Sequence, residues 1–179
     1  MTTPRIAVVQ GAPGAVVDDL LATAVARWSP QLRIAGVVAE GDGLAKGKCS
    51  AGNLRTLASG KLFSIFAQDN PDAGLDACNV DGRGAVAAAE VAEQDIAQGC
   101  DLVVLNRYAK LEQAGDGLCR AFEAAIRAGV PLLTSVSPNR TEAFEAFAGS
   151  GFALLPPEAA AIDAWVDAVR SPAKALGQA

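Results

Sequence analysis

Gly11-Ala12-Pro13-Gly14 follows directly on the apolar run Ile6-Ala7-Val8-Val9-Gln10 and precedes the helix-patterned stretch Ala15-Val16-Val17-Asp18-Asp19-Leu20-Leu21. A strand, a glycine-rich turn and a helix are the parts of a phosphate-binding corner, where backbone amides at a helix start receive an anion. Nucleotide chemistry there needs a fixed spacing of Gly, four residues, then Gly-Lys-Ser/Thr: the amides cradle the phosphates, the Lys neutralises them and the hydroxyl holds Mg²⁺. Counted from Gly11, the second Gly falls on Val16, the Lys on Val17 and the hydroxyl on Asp18. The cation and the hydroxyl are both replaced. The count also places Asp18 and Asp19 at a helix start, where carboxylates suit the dipole but repel a phosphate.

A nucleotide hydrolase also needs an Asp for Mg²⁺ and an adjacent Glu for water at the end of its third strand. Here that strand, Asp101 to Asn106, ends in Asn106-Arg107, and an amide beside a cation can do neither job. In an open α/β sheet, ligands bind beyond the carboxyl ends of the strands, which singles out residues 11–14, 106–112 and 136–140. What these loops offer is Asn106, Arg107, Lys110 and Glu112 on one, Asn139 and Arg140 on the next, with Arg55 and Arg120 as further cations that could converge there. Cations near a helix N-terminus suit a small oxyanion such as molybdate or phosphate. The plain alternative is a set of solvated loop charges paired with one another.

The elements that must position these residues follow from periodicity. Apolar residues at Val16, Val17, Leu20, Leu21, Ala24, Val25 and Trp28 make a helical stripe, and residues 32–39 make a second strand, parallel to the first through a right-handed crossover. Residues 53–58 and 62–67 alternate around Ser59-Gly60-Lys61 and predict a β-hairpin. Glycine-rich loops flank it, so residues 40–84 form either an inserted hairpin at a sheet edge or a lid. Helices are expected over 85–98, 118–128 and 141–148 and from Pro156-Pro157-Glu158 to Val169, strands over 101–106 and 130–136, and an edge strand over 152–155. The expected fold is a three-layer α/β domain, P-loop-NTPase-like, with a mostly parallel sheet and an inserted hairpin, spanning 1–170 with a frayed tail at 171–179.

Composition sets the bounds. The 179 residues allow one domain with a real core, and 51% of them are apolar. A net charge of −5 with scattered Lys and Arg argues against a nucleic-acid partner. No apolar run reaches a membrane span and no signal pattern opens the chain, so a cytoplasmic protein is expected. The absence of histidine excludes a His general base, a Ser-His-Asp triad and His-ligated metals. Cys49, Cys78, Cys100 and Cys119 form no CxxC pair. Cys100 reads as core; Cys49 and Cys78, in polar glycine-rich loops, are the weak candidates for soft-metal or thiol chemistry.

Asp101 to Glu112 resembles the segment D-x-x-x-x-D-E-x-G-K-M-E of the thermophile-type nucleoside-triphosphatases. Gly11-Ala12-Pro13-Gly14 resembles the start of their loop G-x-P-G-x-G-K-T-T, and Leu57-Ala58-Ser59-Gly60 their hairpin L-A-S-G. Over residues 5 to 155 the chain is similar to a bacterial family of unknown function, related to those hydrolases and often encoded beside molybdate-transport proteins. The resemblance implies that Gly11, Pro13 and Gly14 form the phosphate turn with Lys110 and Glu112 beside it, and does not carry the activity over. It implies a non-hydrolytic ligand-binding or accessory module on a degenerate nucleoside-triphosphatase scaffold, in molybdate or molybdenum-cofactor handling, with nucleotide or molybdate as candidate ligand and a protein partner open. A nucleotide-binding hydrolase or transferase with atypical phosphate contacts, and a thiol-metal module, are the alternatives.

Overall fold

Gly36 sits in the middle of the second strand with φ +120, and a Cβ there would lie 2.0 Å from the Val104 carbonyl oxygen. Only glycine lets the two strands pair at this point, and the pairing fixes the centre of the sheet. The computed structural model describes residues 3–40, 52–65 and 82–171. Its strands are β1 (Ile6–Val9), β2 (Ile34–Glu40), β3 (Asn53–Thr56), β4 (Leu62–Ser64), β5 (Leu102–Tyr108), β6 (Leu132–Val136) and β7 (Phe152–Leu155). They form one seven-stranded sheet in the order β4-β3-β2-β5-β6-β1-β7. From β2 to β7 every pairing is parallel, while β3 and β4 form an antiparallel hairpin added to the β2 edge.

Side chains alternate across the sheet and divide the core. Val8, Val37, Val103 and Leu105 face one way, against α2 (Gly82–Ala97), α4 (Cys119–Ala128) and α5 (Thr141–Ala148). Ala7, Val9, Val38 and Val104 face the other, against α1 (Gly14–Trp28) and α6 (Ala159–Arg170). The result is the expected three-layer, P-loop-NTPase-like α/β fold. No described helix is long and apolar enough to cross a membrane.

Three boundaries differ from the sequence reading, each for a local reason. Helix α1 starts at Gly14, because Pro13 presets a helix-compatible φ of −55 and its carbonyl accepts the amides of both Val16 and Val17. Asp18 therefore lies in the second turn, not at the helix start. Strand β5 runs on past Asn106 to Tyr108, which is buried in an edge-to-face cluster with Phe122 and Phe144 at centroid distances of 5.8 and 5.1 Å. The 106–112 segment is accordingly a strand end followed by a short helix, α3 (Lys110–Gln113), rather than a loop. Helix α2 begins at Gly82, and Gly84 lets it touch the β4 backbone, where a Cβ would stand 1.9 Å from the Ser64 carbonyl oxygen.

Candidate functional site

The carboxyl ends of β1, β5 and β6 meet at the start of α1, and three polar side chains converge there with the Arg107 guanidinium. Asp18, only 7% exposed, receives a hydrogen bond from Asn106 Nδ2 at 2.7 Å and one from Arg107 Nη2 at 2.6 Å. Ser135 Oγ, from β6, donates to Asn106 Oδ1 at 2.6 Å. Asn106 is thus fixed in orientation, its oxygen taken by a hydroxyl and its amide aimed at the carboxylate. Behind it, Thr134 Oγ1 donates to the Leu105 carbonyl at 2.6 Å, so the buried polar face of β6 is satisfied as well.

Arg107 does more than neutralise Asp18. A Cβ built on Gly14 would lie 2.5 Å from Arg107 Nη1, so the guanidinium covers the first residue of α1. A cation at the positive end of a helix dipole is unfavourable by itself, and Asp18 from the following turn offsets it. The space in which a phosphate loop would hold its anion is bordered by a guanidinium that is already paired, with Gly11 closed off behind: at φ +111, its Cβ position lies 3.2 Å from Pro157.

Glu112, Asn139 and Arg140 make their hydrogen bonds to other partners. The Glu112 carboxylate is buried and turned into its own chain, where it accepts the Ala109 and Leu118 amides, each at 2.9 Å. Burial pushes its carboxyl above the usual range, against the pull of those amides. Its role is to hold the turn between β5 and α4 together. A Cβ on Gly117, at φ +58, would meet its Oε1 at 2.4 Å. Lys110 is exposed at the start of α3. Arg140 donates to Gln113 Oε1, while Asn139 accepts from Ser137 Oγ at 2.8 Å.

Arg55 and Arg120 do not join the cluster. Arg55 is held by Glu40 at 2.6 Å, and Arg120 by Glu93 at 2.9 Å and Glu90 at 3.2 Å. Cys49 and Cys78 lie outside the described residues. Cys119 is buried and donates to the Glu112 carbonyl at 3.0 Å, with burial pushing its thiol up to about 11; Cys100 is half-buried and packs against the core. Among the described residues no group of three or more Cys, Asp or Glu is placed to hold a metal. Sequence reasoning missed Ser135, whose signal was a pair of hydroxyl residues, Thr134-Ser135, inside an otherwise apolar core strand.

Chemically, the cluster pairs the Asp18 carboxylate with the Arg107 guanidinium and the Asn106 amide. It offers a fixed cation, partly exposed, over the open end of a fifteen-residue helix.

Comparisons with known proteins give the chain a family and one partial relative. A family model described as "Protein of unknown function (DUF2478)" matches residues 6–165. A Molybdenum import ATP-binding protein ModC 2 from Bradyrhizobium diazoefficiens is 39% identical over 92 residues, which are 51% of this chain and 10% of that protein. No solved structure matches.

Proposed function

The chain belongs to the DUF2478 family, and from that premise we propose that it is a non-hydrolytic, oxyanion-binding accessory module on a degenerate nucleoside-triphosphatase scaffold. Residues 1–170 act as one module in this reading. The observation that carries it is the Asp18–Arg107 ion pair, whose guanidinium lies over Gly14 where a phosphate loop would place its anion. Chemistry that needs a Lys, a hydroxyl and two acids has been exchanged for a neutral, self-paired group with Asn106 and Ser135 behind it.

A compact tetrahedral dianion fits such a seat better than a nucleotide does. It needs only one or two first-turn amides of α1 and one guanidinium edge beside the Asp18 pair. Pro13 and Gly11 shape the turn, Lys110 and Arg140 add positive charge on neighbouring elements, and a role in molybdate handling takes its support from the similarity of half of this chain to a molybdenum import ATP-binding protein.

Calorimetric titration with molybdate and tungstate, with sulfate and Mg²⁺-ATP for comparison, tests the reading. Saturable binding of molybdate or tungstate that Asp18→Asn/Arg107→Met abolishes is the expected result. No heat with either oxyanion, or binding unaltered in the double variant, contradicts it.

A further inference from the structure

The carboxyl-terminal turn of α2 carries an acid where a helix favours a cation. Asp95 lies in the last turn of that helix, which has no basic residue there, so its charge adds to the negative end of the dipole. One carboxylate oxygen, Oδ2, is buried and has no hydrogen-bond partner among the described residues. Burial raises this carboxyl above its usual range, while the charge of Lys61 on the β3–β4 hairpin pulls the other way. A buried acceptor without a donor is rare in a folded protein, because nothing replaces the water it has lost.

Asp95 also lines a cavity of about 300 Å³ whose other walls include Leu32, Ile34, Ala35, Leu57 and Ala58. Arg33 borders it but is committed to Asp101, with Nη2 to Oδ1 at 2.9 Å and the backbone amide to Oδ2 at 2.9 Å. Cys100 borders it too, with its thiol held neutral by burial. The ligand complementary to one carboxylate, a helix carboxyl end and walls of mixed polar and apolar surface is a cation on a short hydrocarbon stem. A metal ion is excluded by donor count, since no group of three ligating residues is present among the described residues.

We propose that this cavity, at the amino ends of β2 and β5 and so at the other end of the strands from the α1 start, binds a small alkylammonium with Asp95 as its counter-ion. Lys61 is the chain's own competitor for that carboxylate. The site stands independently of the oxyanion reading.

The test is an amide-resolved NMR titration of the intact protein with n-butylammonium chloride, with n-butanol and sodium chloride as controls. Saturable shifts are expected at Ala58, Gly99 and Cys100 with the ammonium and not with the alcohol. Asp95→Asn, an isostere that removes a poorly solvated charge, weakens the ammonium about tenfold, the loss of one charge-assisted bond. Lys61→Met tightens it. Equal shifts with n-butanol, shifts centred elsewhere, or a titration unchanged in both variants overturns the proposal.

Discussion

Replacing Arg107 by Met is the most informative perturbation of the cluster at the start of α1. It leaves the Asp18 carboxylate, 7% exposed, with Asn106 as its remaining donor from the cluster. Loss of one charge-assisted bond to a buried carboxylate costs about 1.5–3 kcal/mol. The Arg107 side chain is 36% exposed, so water screens part of the interaction and about 2 kcal/mol is the expected cost. Asp18→Asn keeps an acceptor for Asn106 and frees a guanidinium that water can reach, for about 1 kcal/mol. The double variant carries no uncompensated charge and should cost about 1.5 kcal/mol, which makes the coupling about 1.5 kcal/mol. Urea unfolding of the four proteins measures the cycle, and the midpoint of thermal unfolding should fall by roughly 4–8 °C in Arg107→Met. Additivity within about 0.5 kcal/mol would refute the reasoning. So would a cost no greater than that of Arg127→Met on the exposed side of α4.

Three further outcomes follow from the same contacts. Gly14→Ala gains about 1 kcal/mol of helix propensity but drives a Cβ into Arg107 Nη1, so it should be near neutral alone and stabilising in the Arg107→Met background, as chemical unfolding of both will tell. Gly117→Ala puts a side chain at φ +58 against the Glu112 carboxylate and should lower stability by about 2 kcal/mol or more, with loss of amide protection at Leu118 in hydrogen exchange. Glu112 has a raised folded-state pKa, so its contribution is full below the ordinary carboxylate value of about 4 and is lost as pH rises through the folded value. Glu112→Gln, unfolded in urea at several pH values, should therefore be less stable than wild type at low pH and decline less as pH rises; parallel curves would refute this.

Local pattern determines most of the architecture. The apolar runs that open β2 and β5 mark strands buried on both faces, and Gly129, in the left-handed conformation at φ +64, ends α4 where its sequence says a helix should stop. The hairpin was legible from Ser59-Gly60-Lys61, and the structure closes it with Thr56 Oγ1 and Ser59 Oγ at 2.7 Å. What could not be read was long-range pairing. Asp18 and Arg107 lie 89 positions apart, and each read singly suggested a different thing: an acid at a helix start and a free loop cation. Tertiary placement made them one pair. Glu112 misled for the converse reason, since a charged residue in a polar segment reads as solvated until its two backbone donors are seen. Tyr108 extended β5 because burial in an aromatic cluster outweighed the polar residues before it.

The central claim, that the phosphate seat has been replaced by a paired guanidinium, is tested most directly by phosphate release from ATP and GTP with Mg²⁺. The assay compares the purified protein with a Gly14→Val variant whose side chain fills the start of α1. No release above the enzyme-free rate is expected in either protein; release by the wild type that disappears in Gly14→Val would contradict the replacement.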